Sequence, residues 1–172
     1  MQIKIVEEHH NQVDWEVRTP LHWTIGGLIV GAAVFALLVI PSPSPHRWWA
    51  VAGVTGGVLA IAVFIAATTP TVDRGHLKRL PEGGLVRRTR TWLLVGERST
   101  LEVELDTITG FEAEIEAFED RRTEPYQLAR LWAISTDEAP RGLTDWAEPA
   151  SALALGEALA KAARLPFTVP GA

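Results

Sequence analysis

Cysteine is absent from the sequence, so disulfides, thiolate metal sites and a cysteine nucleophile are excluded. The chain also contains neither of the phosphate-binding patterns GxxxxGK(S/T) and GxGxxG, nor the nucleophile pattern GxSxG. Basic residues are few for a nucleic-acid binder, with 16 Lys and Arg against 21 Asp and Glu and a formal net charge of -5. These absences predict a protein that is not an enzyme, holds no cofactor and does not bind nucleic acid.

Charged residues are also missing from two long apolar runs, 21–40 and 48–69. Each run reaches the roughly 20 residues that a helix needs to cross a hydrocarbon core of about 30 Å. The intervening residues 41–47 read PSPSPHR, and their prolines cannot continue a helix. The sequence therefore predicts a transmembrane hairpin over 21–69, with two buried helices of a soluble bundle as the alternative.

Aromatic and basic residues near the ends of the two runs predict how the hairpin is oriented. Trp23 lies near the start of the first run, and Trp48 and Trp49 lie at the start of the second. In a hairpin these positions fall at opposite membrane–water interfaces, which amphipathic rings favour. The connector contains one basic residue, whereas several flank the hairpin: Lys4, Arg18, Arg74, Lys78, Arg79, Arg87 and Arg88. This asymmetry predicts an integral, multi-pass membrane protein with both termini cytoplasmic and 41–47 outside.

Small residues recur four positions apart in both runs. Gly27 and Gly31 form one GxxxG pattern, and Gly53 and Gly57 form another. Such pairs let a neighbouring backbone approach closely within lipid. The glycines either pack the two helices of the hairpin together, which we favour, or dock another membrane protein. Neither run contains the charged group that ion-coupled transport usually needs, which argues against a transporter.

The polar remainder of the chain alternates apolar and polar residues with period two, which is typical of half-buried strands. Residues 1–20 predict a cytoplasmic β-hairpin, and 70–172 predict a cytoplasmic β-domain. Apolar residues recur at helical spacing near the end, which predicts a C-terminal helix over 148–164. The expected fold class is membrane α+β: the transmembrane hairpin plus a small antiparallel, pleckstrin-homology-like domain of about seven strands, closed by the C-terminal helix.

The order of several segments resembles a known family. These segments are VDRGHLKRL, WLLVG, LEVELDTITGFEAEIE, YQLARLWAIS and ALGEALAKAARLPF. They resemble largely uncharacterised bacterial membrane proteins with two spans and a pleckstrin-homology-like domain. The layout is also similar to that of the photosystem I assembly protein of cyanobacteria and plastids. The resemblance covers most of the chain as architecture and transfers no functional residue. It implies an inner membrane, plasma or photosynthetic, as the location, and a role in assisting a larger, for example photosynthetic, complex.

Acidic residues and histidines are the remaining candidates for chemistry. His9 and His10 neighbour two glutamates, but adjacent residues of a strand point to opposite faces, and a zinc site needs three or four converging ligands. We therefore predict solvent-exposed turn histidines and no metal site. The acidic residues of 102–120 fit a solvated sheet face better than an acid–base pair, which needs a pocket that separates two pKa values. The predicted partner-docking residues are Glu112, Glu114 and Glu116.

A basic stretch follows the second apolar run. Each such charge is worth about 1 kcal/mol near an anionic lipid surface, unless acidic strands neutralise it. The predicted function is a non-enzymatic accessory, scaffold or assembly factor for a larger membrane protein complex, with the bilayer and another membrane protein as partners. The alternative is a membrane-regulatory module that binds anionic headgroups through the basic stretch. Its residues are Lys78, Arg79, Arg87, Arg88 and Arg90.

Overall fold

The computed structural model describes residues 2–19, 21–39, 47–119, 125–136 and 138–170. These residues form two compact units. The sheet unit contains the described parts of Met1–Arg18, Val72–Arg90 and Glu97–Ala172. The helical unit contains the described parts of Thr19–Thr71 together with Thr91–Gly96.

A five-stranded sheet has its strands in chain order. They are β1 (Ile3–His9), β2 (Gln12–Arg18), β3 (Pro70–Leu80), β4 (Gly83–Trp92) and β5 (Gly96–Glu104). The pairs β1–β2 and β2–β3 are antiparallel. Trp15 of β2 lies opposite Gly75 of β3, and its indole ring occupies the space that a Cβ at that position would need. A glycine is therefore required at this point of the sheet for steric reasons.

A four-stranded sheet has the order β8-β7-β6-β9. Its strands are β6 (Ile108–Phe118), β7 (Tyr126–Ser135), β8 (Arg141–Gly142) and β9 (Phe167–Thr168). β6 and β7 pair antiparallel over their whole length, whereas β9 is parallel to β6 and pairs only at Phe111 and Glu112. Most of one edge of β6 therefore has no strand neighbour among the described residues.

Helix α3 (Pro149–Ala163) joins the two sheets in one hydrophobic core. Pro149 lies in its first turn, where the missing amide of proline costs nothing. Arg79 of β3 donates a hydrogen bond to the carbonyl of Ala163, one of the unpaired carbonyls at the helix end. The largest fully buried side chains of this core are Trp15, Phe111, Leu77, Leu131, Leu143, Leu155, Leu159, Val13 and Val86.

The helical unit contains α1 (Leu21–Val39) and α2 (Arg47–Thr68), which contact each other. The amide of Thr19 donates to the carbonyl of Thr71 at 2.9 Å, so the chain enters and leaves this unit at adjacent points. Many apolar side chains of both helices are exposed. Water would be an unfavourable solvent for such a surface.

The predicted fold class, a two-helix transmembrane hairpin with about seven strands, is wrong. The described residues are mostly sheet, with nine strands in two sheets, and one helix among them, Trp48–Thr68, is long and apolar enough to cross a membrane. α1 ends at Val39 after 19 residues. The described part of α1 is not a candidate span. The multi-pass prediction therefore has no support in the described residues.

The domain boundaries also differ in detail from the sequence predictions. The hairpin expected over 1–20 is not separate from the β-domain expected over 70–172, because β2 and β3 pair along their length in one sheet. Helix α3 lies one residue inside each end of the predicted 148–164. The connector prediction falls on residues 41–46, which lie outside the described residues, and on Arg47, where α2 begins.

Candidate functional site

The outer face of the four-stranded sheet brings together the three glutamates predicted to dock a partner. Alternation along β6 places them on the face opposite the buried Phe111 and Ala113. Antiparallel pairing then sets each glutamate beside a large side chain of β7. These pairs are Glu112 with Trp132, Glu114 with Arg130, and Glu116 with Leu128.

Arg130 is held at the centre of this face by aromatic rings and a carboxylate. Its guanidinium carbon lies 4.1 Å from the ring centroid of Trp132 and 4.7 Å from that of Trp146. Its Nη2 donates to Glu114 Oε2 at 2.8 Å, and Trp132 Nε1 donates to the same oxygen at 2.8 Å. The Arg130 hydrogen bond, followed by that of Trp132, lowers the pKa of the Glu114 carboxyl below its ordinary value. These hydrogen bonds favour the ionised form of Glu114.

Three aromatic rings extend the same face toward the end of β6. Phe118 stacks on Tyr126 with 5.7 Å between ring centroids and meets Trp146 edge-on at 5.5 Å. We call the whole surface the aromatic-acidic face. It consists of Glu112, Glu114, Glu116, Phe118, Tyr126, Leu128, Arg130, Trp132 and Trp146. Preformed Trp, Tyr and Arg side chains of this kind are the residues enriched at the energetic centres of protein interfaces.

A groove of about 490 Å³ opens beside Trp132. Glu112 and Glu114 provide carboxylates to its lining, while Ile134, Pro140 and Pro170 provide apolar walls. Glu112 and Glu116 make no ion pair with any described residue, unlike Glu114. Among the described residues, the face therefore presents negative charge without an opposing cation next to apolar surface, which suits a basic partner segment.

The five basic residues predicted to bind lipid do not form one surface. Arg88 is 5% exposed and directs its guanidinium to the carboxylate of Asp73, with Nε 2.9 Å from both oxygens. Its Nη1 donates to the carbonyl of Gly142 at 3.1 Å. Burial acts to lower the pKa of Arg88, but the hydrogen bond and charge of Asp73, with those of Asp145, raise it above its ordinary value. Arg88 is therefore a charged part of the core.

The other four basic residues have separate surroundings. Arg90 shares the partners of Arg88, with Nη2 2.5 Å from Asp145 Oδ1. Arg87 points to the opposite face of β4 and lies 3.8 Å from a carboxylate oxygen of Glu102. Arg79 is bound to the end of α3, and Lys78 is exposed. Strand alternation and ion pairing thus place these basic residues on different faces with different partners, although they lie close together in the sequence.

The glycines predicted to pack helices face open space. A Cβ added at Gly27, Gly31, Gly53 or Gly57 would meet no atom within 4 Å among those considered. Gly27 and Gly31 instead line an apolar groove of about 610 Å³ within the helical unit. The described residues therefore do not use either GxxxG pattern for close packing between α1 and α2.

The predicted interface tryptophans are described only in part. Trp48 and Trp49 lie in the first turn of α2 with highly exposed rings, whereas the side chain of Trp23 lies outside the described part of the structure. Sequence reasoning missed Trp92, whose Nε1 donates to the carbonyl of Thr68 at 3.3 Å. Its position next to two leucines and a valine is a signal that the sequence does contain.

Two histidines elsewhere are paired with single carboxylates. His9 Nε2 lies 2.6 Å from Glu7 Oε1, and His76 bonds to Asp14 in a groove of about 450 Å³ on the five-stranded sheet. Within the described ranges, no group of three or more His, Asp or Glu residues is placed to hold a metal ion. These contacts are pairs rather than converging ligand sets.

Comparison with protein-family models and with curated proteins finds no match for this chain. The resemblance to two-span bacterial proteins with a pleckstrin-homology-like domain therefore stays a prediction.

Proposed function

We propose that this chain is a non-enzymatic, membrane-attached accessory or assembly protein that recruits a partner protein to the bilayer. The observation that carries the proposal is the aromatic-acidic face, with Arg130 fixed between two tryptophans and beside Glu114. Preorganised side chains of this type bind with little further loss of conformational entropy. A protein partner is therefore a better account of the face than catalysis.

Membrane attachment is proposed through α2. The segment Trp48–Thr68 has 21 residues and no charged side chain, and 11% of its most apolar window is buried inside the structure. At the helical rise it is about 32 Å long, which matches a hydrocarbon core of about 30 Å. Its exposed apolar side chains favour lipid as the surrounding solvent.

The partner is proposed to offer basic side chains to the face. Glu112 and Glu116 have no ion-pair partner among the described residues, and the nearby groove combines carboxylates with apolar walls. A Lys or Arg of the partner would meet a carboxylate with its head and apolar surface with its stem. Lipid headgroup binding through the basic stretch is less well supported, because Arg88 is buried and Arg90 is paired.

A photo-crosslinking residue at Glu116 tests the proposal in native membranes. We expect one discrete crosslinked protein, because Glu116 is exposed beside the aromatic rings. Trp132→Ala removes a predicted energetic centre and should lower partner affinity by about 2 kcal/mol, or roughly 30-fold. The reduced crosslink yield is read by quantitative immunoblotting, and circular dichroism checks that the variant is folded.

A matched control distinguishes the loss of a docking surface from the effect of a changed net charge. The double variant Glu112→Lys, Glu116→Lys should abolish the crosslink made by a photo-crosslinking residue placed at Leu128. The control double variant Glu82→Lys, Glu157→Lys changes the net charge by the same amount at exposed sites elsewhere, and it should leave that crosslink in place. Equal yields from the two double variants, or an equal product from a crosslinker at Glu82, would contradict the proposal.

A further inference from the structure

We infer that the turn between β4 and β5 is a second membrane contact, which inserts Leu93, Leu94 and Val95 into the bilayer interface beside the end of α2. The inference rests on the membrane attachment proposed above. The turn is separated from α2 in the sequence by strands β3 and β4. The ligand assigned to it is the acyl–headgroup boundary of a lipid bilayer.

The composition of the turn is the first argument. Leu93, Leu94 and Val95 are 56%, 57% and 42% exposed. Turns that face water are normally built from Gly, Asn, Asp, Ser or Pro, because these residues suit turn geometry and hydrate well. Only Gly96, with φ +83°, follows that rule here. Three consecutive exposed apolar residues at a hairpin tip indicate an apolar environment.

The attachment of the turn to α2 is the second argument. Trp92, the residue before the turn, donates from Nε1 to the carbonyl of Thr68 at 3.3 Å. That carbonyl belongs to the last turn of α2 and has no partner within the helix. Thr71 Oγ1 donates to the carbonyl of Thr91 at 2.9 Å, which ties the same two chain segments together again. The turn and the end of α2 lie in one compact unit, and these two hydrogen bonds hold them side by side.

The distribution of tryptophan is the third argument. Trp48 and Trp49 begin the candidate span of 21 residues, and Trp92 is bound at Thr68, its last residue. Indole rings concentrate at both water boundaries of a membrane-spanning helix. α2 has no tryptophan of its own near its C-terminus, and β4 supplies one. This pairing of aromatic residues with both ends favours lipid over a protein partner.

Polar residues limit how deep the turn can go. Glu97, Arg98 and Ser99 follow Gly96 directly and are exposed. A charged segment remains in the headgroup layer or in water, so insertion stops at Val95. The expected depth is about 5–10 Å, which is typical of interfacial apolar segments.

Single-cysteine labelling tests the inference directly, because the native chain contains no cysteine. The full chain is reconstituted in vesicles of phosphatidylcholine and phosphatidylglycerol and labelled with an environment-sensitive fluorophore. Leu94→Cys probes the turn, Leu59→Cys probes the middle of α2, and Ser99→Cys probes the polar strand beyond the turn. Spin-labelled lipids that quench at shallow or deep positions, and aqueous iodide, report the depth of each label. Circular dichroism confirms that each variant is folded.

We expect the Leu94 label to emit at shorter wavelength than the Ser99 label and to be quenched most by the shallow lipid probe. The Leu59 label should be quenched most by the deep probe, and the Ser99 label by iodide. A Leu94 label quenched like the Ser99 label would overturn the inference while leaving the span in place. A Leu59 label quenched by iodide would overturn both the span and the inference.

Discussion

Arg88 and Asp73 are the two least exposed charged side chains among the described residues, at 5% and 6%. They face the core because alternation along β3 and β4 puts them on the same side as Leu77 and Val86. A basic stretch in the sequence suggests a lipid-binding patch, but the sequence does not say which basic residue has a buried carboxylate opposite it. Strand pairing decides that, and here it converts a predicted surface residue into a structural one.

Removing one partner of this buried pair should be costly. Asp73→Ala leaves the Arg88 guanidinium with Asp145 and a carbonyl only, so we expect a loss of about 3 kcal/mol in the free energy of unfolding. Denaturant unfolding in detergent, followed by circular dichroism of the sheet, measures the loss, with Glu82→Ala as an exposed control. The double variant Asp73→Leu, Arg88→Met should recover most of the lost stability. A double variant as unstable as the single one would contradict this explanation.

The lowered pKa of Glu16 predicts a specific dependence of the free energy of unfolding on pH. The hydrogen bond from Arg18 lowers the pKa of the Glu16 carboxyl, burial opposes this, and Arg74 lowers it further. Because the pKa is lower in the folded state, the stabilising effect is fully present above the unfolded value of about 4.3 and is lost as pH falls through the folded value.

The variant Glu16→Gln should therefore be less stable than the native protein at pH 7. The difference between the two should shrink below about pH 4.3 and disappear at more acidic pH, as measured by thermal unfolding across this range. A difference that stays constant with pH would mean that Glu16 acts through packing rather than through its charge.

At the scale of the element, the sequence predicts the bounds of a helix better than it predicts which strands are neighbours. The bounds of α3 follow from Pro149, Pro166 and the apolar spacing between them, and the structure differs by one residue at each end. Both apolar runs are uncharged and long enough to predict a span, but among the described residues only Trp48–Thr68 is a candidate span. The partners of β6 and the two-sheet arrangement depend on contacts between distant residues, which periodicity does not report.

The end of α3 offers a stabilising substitution. Arg164 caps the helix with φ 56° and ψ 43°, the left-handed region that favours glycine. Its side chain is exposed, and the helix is already closed by the hydrogen bond from the Leu165 amide to the Ala160 carbonyl at 3.0 Å. Arg164→Gly should therefore raise the free energy of unfolding by about 0.5–1 kcal/mol. Arg164→Ala, which keeps the strained backbone, is the control and should show no such gain in denaturant unfolding.

For the whole molecule, the pairing of β2 with β3 is the organising contact. Arg18 lies opposite Val72, and every residue of the helical segment lies between them in the sequence. The helical segment is thus an insertion in the sequence of the sheet unit, and the two residues that flank it are paired in one sheet. Composition revealed the two apolar runs, but only the register revealed that the strands on either side of them are neighbours.

This register predicts that the sheet unit folds without the helices. A two-residue Asn-Gly turn joining Arg18 to Val72 satisfies the hairpin geometry, since both residues are already paired. Combined with Leu93→Ser and Leu94→Ser, the shortened chain should stay in the supernatant after ultracentrifugation without detergent. It should also unfold cooperatively with the circular dichroism of a sheet protein. A shortened chain that sediments, or that unfolds without a cooperative transition, would show that the helical segment is needed for folding.

The uncovered edge of β6 has a consequence for how copies of this protein behave toward one another. Beyond Glu112 the strand has free backbone donors and acceptors on one side, within the described residues, and such edges invite pairing between identical chains. Two β6 strands that met edge to edge would place their glutamates opposite each other, and like charges in that position repel. The carboxylates would therefore oppose edge-to-edge pairing of two copies through β6, and protonation of these carboxylates at acidic pH would weaken that repulsion.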